Sequence, residues 1–310
     1  MPLSPSLRVA LITGAGLALL TGCGDSSSDS GKNADGTASA SVITVVASTD
    51  VYGDIARQIG GDSVDVTSII SDPDQDPHSY EANTQNQLAL SKARVVIENG
   101  GGYDDFVDRM LKTGGNSSAE LINAVEVSGR TAPAGGELNE HVWYDFPTVS
   151  KLVDRIAAAL GTADPSDAAA FTKNADSFKE KLGGLEAKEA DIKKAHGGEA
   201  VGISEPVPLY LTEASGLVNK TPEEFSEAIE EGDDVSPKIL QETLGLYSDK
   251  QIDVLVYNEQ TSGPQTEKVK SAAEAAGVPV VPVTETLPEG QDYLAWMGGN
   301  VDALASALAK

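Results

Sequence analysis

Short runs of apolar, mostly β-branched residues alternate with amphipathic segments from Val42 to the end of the chain. The runs have the length of buried strands, and the segments between them have the period of a helix. Predicted strands cover 42–46, 63–70, 94–98, 200–204, 253–257 and 278–283. Predicted helices cover 51–59, 103–112, 148–160, 237–247, 266–276 and 293–308. Strands that alternate with helices predict an α/β fold with mainly parallel sheets, and two such series predict two (β/α) lobes.

A long helix is predicted between the two series. Its apolar stripe consists of Phe171, Ala175, Phe178, Leu182, Leu185 and Ile192, which share one helical face. Read over 166–195, the helix would be about 45 Å long. We therefore expect a linking helix within 165–196, between an N-terminal lobe at 42–164 and a C-terminal lobe at 197–310. Gly183 and Gly184, inside this helix, suggest a kink or a close packing contact.

The N-terminus has the pattern of an export signal. Arg8 precedes an apolar run over 9–20, which is too short for a transmembrane helix and ends in Leu20-Thr21-Gly22-Cys23. Small residues before a cysteine resemble the lipobox of bacterial lipoproteins, in which Cys23 is diacylated. The alternatives are an ordinary signal peptide with an incidental cysteine, or a buried free cysteine. We expect a signal peptide at 1–22 and export to the outer face of the cytoplasmic membrane, with a lipid anchor on Cys23.

Composition narrows the function classes. Residues 23–41 are small and polar and predict a disordered tether. The chain has 22 basic and 48 acidic residues, so nucleic-acid binding is excluded by repulsion. A single cysteine excludes an internal disulfide or a cysteine-based zinc site. The chain lacks His-Glu-x-x-His and Gly-x-Ser-x-Gly, which common metalloproteases and hydrolases require, and it is not expected to be an enzyme.

Three histidines are the candidate chemical groups. His78 and His141 lie in predicted strand-to-helix loops, where binding residues of α/β proteins collect, whereas His196 ends the long helix and is assigned a structural role. The run that begins at Asp72 resembles a calcium loop but has Pro77 where the turn needs glycine. These features alone leave two interpretations open: His78 and His141 bind a metal ion, or they are structural or exposed loop residues.

Three segments together resemble the cluster A-I family, also called cluster 9, the metal-binding subunits of manganese and zinc ABC transporters. They are Asp76-Pro-His-Ser-Tyr-Glu81, His141-Val-Trp-Tyr-Asp145, and Tyr293-Leu-Ala-Trp-Met followed by Asn300. The resemblance covers the chain from Val42 to Leu308 in matching order. It implies two lobes joined by one backbone helix, with the metal held in the cleft between them.

The resemblance also implies the metal ligands. Carried over by position, they are His78, His141, Glu205 and Glu285; the family usually has aspartate where Glu285 stands. Two imidazoles and two carboxylates neutralise a divalent ion and suit Mn²⁺, although Zn²⁺ binds almost any such site more tightly. Residues 131–139 lack the histidine-rich loop of many zinc-type relatives. Mn²⁺ is therefore favoured as cargo, with Zn²⁺ second.

The implied partners are an ABC transporter permease and the membrane, reached through the lipid anchor, and the protein is expected to be a monomer. Two alternatives stay open from the residues alone. One is a binding lipoprotein for a small organic solute, although aromatic residues make up only 5% of the chain. The other is a surface adhesin.

Overall fold

The computed structural model describes residues 42–72, 80–81, 83–134 and 136–310. The predicted signal peptide, Cys23, the tether and His78 lie outside the described residues. None of the helices in the described part combines the length and the apolar character that crossing a bilayer requires.

The N-terminal lobe is built on a parallel sheet with the strand order β2-β1-β3-β4. Its strands are β1 (Ile43–Thr49), β2 (Val64–Ile70), β3 (Val95–Glu98) and β4 (Glu120–Asn123). Its helices are α1 (Asp50–Gly60), α2 (Thr84–Lys92), α3 (Phe106–Gly114), α4 (Ala124–Ser128) and α5 (Phe146–Ala163). The central strands β1 and β3 are buried almost throughout, as expected for a sheet covered on both faces.

The C-terminal lobe repeats this topology with the order β6-β5-β7-β8, again parallel throughout. Its strands are β5 (Ala200–Ile203), β6 (Val218–Asn219), β7 (Val254–Asn258) and β8 (Val280–Val283). Its helices are α7 (Leu209–Ala214), α8 (Glu223–Glu230), α9 (Pro237–Ser248), α10 (Pro264–Ala276) and α11 (Tyr293–Leu308). The predicted α/β class with two parallel-sheet lobes is confirmed.

The predicted linking helix is also confirmed, as α6 (Ala168–His196). All six residues of its predicted apolar stripe are buried. The helix packs against α1 and α5 of the N-terminal lobe and against α7 and α11 of the C-terminal lobe. One hydrophobic cluster consequently runs through both lobes, from β1 to α11. A shared core of this kind restricts the lobes to small relative motions.

Two of the segments that carry the family resemblance are hydrogen-bonded to each other: the one that begins α11 and the one that begins at His141. The Tyr293 hydroxyl donates a hydrogen bond to the Trp143 carbonyl at 2.6 Å. The Asn300 amide donates to the Tyr144 hydroxyl at 3.2 Å. The C-terminal helix therefore supports the turn that follows His141.

The expected close packing at Gly183 and Gly184 is wrong. Both glycines are exposed, and a Cβ built at either position meets no atom within 4 Å. The helix runs through them without interruption. Their flexibility therefore only lowers the stability of α6.

We expect the double substitution Gly183→Ala and Gly184→Ala to raise the free energy of unfolding by about 1–2 kcal/mol, because alanine loses less backbone entropy than glycine in a helix. Denaturant titration checks this. Gly100→Ala is the matched control: Gly100 has a φ of 78° and its Cβ would lie 2.2 Å from the Asn123 amide, so this change should destabilise the protein. An unchanged or lower stability of the double variant would contradict the expectation.

Candidate metal centre

Three polar side chains meet at the carboxyl edge of the second sheet. Glu205 follows β5, Asn258 ends β7, and Glu285 follows β8. Because β7 pairs with both β5 and β8, the ends of these parallel strands lie side by side. All three residues are buried, with exposed fractions of 2%, 1% and 7%. This edge therefore collects two carboxylates in a largely dry environment.

The side-chain amide of Asn258 holds the two carboxylates together. Its Nδ2 atom donates hydrogen bonds to Oε2 of Glu205 and, at 2.8 Å, to Oε1 of Glu285. Two carboxylates that share one amide donor repel each other when both are ionised. The arrangement therefore favours the binding of a cation that offsets their charge.

The N-terminal lobe reaches Glu285 through Tyr103, which lies between β3 and α3. The Tyr103 hydroxyl donates a hydrogen bond to Oε2 of Glu285 at 3.1 Å. Burial and the nearby Glu285 carboxylate raise the pKa of Tyr103 well above its ordinary value, so it stays a neutral donor. The carboxylate of one lobe is thus positioned by a side chain of the other.

His141 approaches the same place from the N-terminal lobe. It precedes a short 3₁₀ turn, Val142–Tyr144, and only 1% of its surface is exposed. Its ring packs edge-on against Tyr103, with ring centres 5.8 Å apart. Its Nδ1 atom lies 2.8 Å from Oδ1 of Asn139, an acceptor, which favours the tautomer with the proton on Nδ1. Nε2 then carries the lone pair that a metal ion requires.

Two glutamates that the sequence analysis missed lie beside His141. Oε1 of Glu230 is 3.4 Å from Nε2 of His141. Ligand atoms of Glu140, His141 and Glu230 all lie within 4.8 Å of one another, a spacing that one metal ion can span. Glu140 directly precedes His141, so its proximity could have been foreseen. No sequence feature marks Glu230, which α8 brings in from the other lobe.

The carboxylates of this cluster have strongly raised pKa values. Burial, followed by the charges of neighbouring glutamates, raises the pKa of both Glu140 and Glu230 well above the ordinary value of a carboxyl group. The neighbouring charges that most raise the pKa of Glu230 are, in order, those of Glu140, Glu205 and Glu285. Carboxylates of both lobes are therefore close enough to repel one another. A divalent cation supplies the charge that such a cluster lacks, and its binding should release protons.

The structure brings together three of the four predicted ligands, His141, Glu205 and Glu285. Tyr103 contacts both His141 and Glu285. Asn258 in turn holds Glu285 beside Glu205. His78, the fourth, lies outside the described residues. His196 ends α6, where its Nδ1 atom lies 3.0 Å from Oε1 of Glu199. That contact is local, in keeping with the structural role assigned to His196.

An open cleft of about 870 Å³ leads from the surface to this cluster, lined by both lobes. Seven glutamates line it, against one basic residue, Arg130: Glu137, Glu140, Glu213, Glu223, Glu227, Glu230 and Glu231. A cleft with such an excess of negative side chains concentrates cations at its mouth. The cleft is therefore suited to small cations.

Asn139 connects His141 to the opposite lobe. Its Nδ2 atom donates to the Pro206 carbonyl at 3.1 Å, directly after Glu205. The backbone carbonyl of Asn139 accepts a hydrogen bond from the Tyr210 hydroxyl. The residue that orients the imidazole thus also joins the loops that carry His141 and Glu205.

We expect Asn139→Ala to lower the affinity for a divalent metal ion by about 10–100-fold, the usual loss when a partner that orients a ligand is removed. Calorimetry on the purified variant checks this. Asn116→Ala is the matched control, because Asn116 also donates two hydrogen bonds to carbonyls, those of Leu90 and Ala93, but lies outside the cleft lining. Equal affinities of the two variants would show that Asn139 does not position His141.

Comparisons with known proteins agree with this architecture. The chain is 36% identical to the manganese-binding lipoprotein MntA of Bacillus subtilis over 167 residues, which cover 53% of this chain and 52% of MntA. It is 26% identical to the manganese ABC transporter substrate-binding lipoprotein scaA of Streptococcus gordonii over 299 residues, 88% of this chain and 91% of that protein.

Among solved structures, the periplasmic zinc binding protein TroA of Treponema pallidum superposes with a TM-score of 0.74 at 18% identity, over 86% of this chain and 99% of TroA. That likeness concerns the fold alone. A sequence model of the family described as ZnuA, the periplasmic component A of zinc-uptake complexes, matches residues 45–307. The chain therefore belongs to this family of metal-binding transport proteins, the cluster A-I family that its motifs resemble.

Proposed function

We propose that the protein captures one divalent transition-metal ion in the cleft between its lobes and delivers it to the permease of an ABC importer. The observation that carries the proposal is the buried meeting of one imidazole, His141, with carboxylates from both lobes. Burying several carboxylates in one place is unfavourable unless a positive charge accompanies them. The family's transport role and the acidic cleft support the same conclusion.

The proposed ligands are His78, His141, Glu205 and Glu285. Imidazole and carboxylate donors form a set that Mn²⁺ accepts readily and that Zn²⁺ binds with higher intrinsic affinity. Mn²⁺ is the favoured cargo, because the relatives MntA and scaA are named for manganese. Zn²⁺ is second, in keeping with the name of the family.

The proposed location is the outer face of the cytoplasmic membrane. The lipobox-like sequence that ends at Cys23 supports a signal peptide over 1–22 and an acyl anchor, and the small polar residues at 23–41 support a tether. Relatives named as lipoproteins support the anchor as well. The domain division then follows as 42–164, 165–196 and 197–310. In this scheme the protein is a monomer that hands over its cargo unchanged and has no catalytic role.

The test is a calorimetric titration of the chelator-stripped, full-length protein with Mn²⁺ and, separately, with Zn²⁺. We expect one saturable site per chain for each ion, accompanied by proton release and a higher melting temperature. A folded protein that binds neither ion, by heat or by melting temperature, would contradict the proposed function.

A further inference from the structure

We propose that Glu230 is an additional ligand of the metal ion in the cleft and that it favours Mn²⁺ over Zn²⁺. This inference rests on the proposed function, since it concerns the same ion. It adds a carboxylate that neither the sequence motifs nor the family resemblance assigns.

Helix α8 (Glu223–Glu230) presents this carboxylate firmly. Phe225 and Ile229 are buried in the hydrophobic cluster of the C-terminal lobe, which fixes the helix. Glu230 is its last residue and carries its side chain into the cleft, where 14% of that side chain is exposed. A ligand on a packed helix is held more precisely than one on a loop.

The contact geometry fits coordination of a shared ion. Two neighbouring ligand atoms, each about 2.2 Å from one metal ion and separated by an angle of about 90–110°, lie roughly 3.1–3.6 Å apart. Nε2 of His141 and Oε1 of Glu230 are 3.4 Å apart. Among the residues that the structure describes, this buried Oε1 atom accepts no hydrogen bond. Oε1 of Glu230 therefore lies opposite Nε2 of His141. Nε2 is the nitrogen free to bind a metal ion, because Nδ1 contacts Asn139.

The position of Glu230 is electrostatically unfavourable without a cation. A carboxylate at the C-terminal end of a helix opposes the helix dipole. Glu140 lies in the same cluster and adds a second negative charge. Residues placed against such local preferences are typical of functional sites.

A fifth protein ligand changes the selectivity of the site. Zn²⁺ is satisfied by four ligands in a tetrahedron, whereas Mn²⁺ is typically held by more ligands, mostly oxygen. With Glu230 added to His141, Glu205 and Glu285, the donors in the described part of the chain become one imidazole and three carboxylates. The extra oxygen should therefore contribute more to the binding of Mn²⁺ than to that of Zn²⁺.

The experiment compares the wild-type protein with Glu230→Gln and Glu224→Gln, each full-length and titrated with Mn²⁺ and Zn²⁺. Both variants replace a glutamate of α8 by glutamine, but Glu224 is exposed and lies outside both the cleft lining and the cluster. We expect Glu230→Gln to weaken Mn²⁺ binding by at least about 10-fold and Zn²⁺ binding by less than about 3-fold. Glu224→Gln should change neither affinity by more than about 2-fold, as for a screened surface charge.

Unchanged Mn²⁺ binding by Glu230→Gln would overturn this inference and leave the proposed function standing. Equal losses in Glu230→Gln and Glu224→Gln would also overturn it, since they would reflect only the overall negative charge of the protein. Equal losses for both ions would overturn the discrimination. A folded wild-type protein that binds neither ion would overturn the proposed function together with this inference. Melting curves of the metal-free variants verify that each is folded.

Discussion

Replacement of His141 by alanine should lower the affinity for Mn²⁺ and for Zn²⁺ by at least about 100-fold, more than the loss expected for a partner that only orients a ligand. His141 is almost fully buried, and its Nε2 atom faces the carboxylate cluster. Removing the imidazole leaves the carboxylates without a nitrogen donor from this loop. His78→Ala should cause a comparable loss, because His78 is proposed as the second imidazole ligand.

His196→Ala is the control for this result. His196 contacts Glu199 at the end of α6, so its removal should leave the metal affinity within about 2-fold of the wild type. Competition with a chromogenic chelator gives the three affinities under one set of conditions. Equal losses at all three histidines would show that the assigned ligands are wrong.

The second large effect concerns the paired carboxylates. We expect Glu205→Gln and Glu285→Gln each to weaken metal binding by at least about 100-fold, since an amide oxygen is a neutral and poorer ligand than a carboxylate. Removing one negative charge also relieves repulsion across the shared amide of Asn258. The metal-free variants should therefore be at least as stable as the metal-free wild type.

Opposite changes of affinity and stability distinguish a lost ligand from structural damage. Metal affinity is measured by calorimetry, and the melting temperature of the metal-free protein by circular dichroism. Glu289→Gln is the control, because Glu289 is exposed in the same loop region. Wild-type affinity in Glu285→Gln would remove Glu285 from the ligand set, and a lower metal-free stability would contradict the argument from repulsion.

The main strands and helices could be predicted because their residues leave clear periodic patterns. The stripe of α6 from Phe171 to Ile192 is buried as predicted, and the central strands β1 and β3 are continuous apolar runs. The missed elements have weaker patterns. Strand β6 has only two residues, and β4 lies at a sheet edge with exposed side chains. Elements of this kind depend on tertiary contacts more than on local sequence.

The residues of the candidate site likewise fall into those that the sequence could predict and those that it could not. His141 could be chosen because histidine is scarce and this one lies in a loop before a helix, and the resemblance implied Glu205 and Glu285. Asn258 was missed because a single amide at a strand end has no distinctive pattern. Glu230 was missed because it lies in a run of glutamates typical of a solvated surface. Only the packing of α8 brings it within reach of His141.

The most direct test of the central claim is crystallography of the Mn²⁺-loaded protein with anomalous diffraction near the manganese edge. The account predicts one strong anomalous peak in the inter-lobe cleft, within about 2.0–2.6 Å of Nε2 of His141 and of carboxylate oxygens of Glu205 and Glu285. A peak bound elsewhere, or a cleft without a peak in a crystal soaked to saturation, would contradict the claim that this cleft carries the metal.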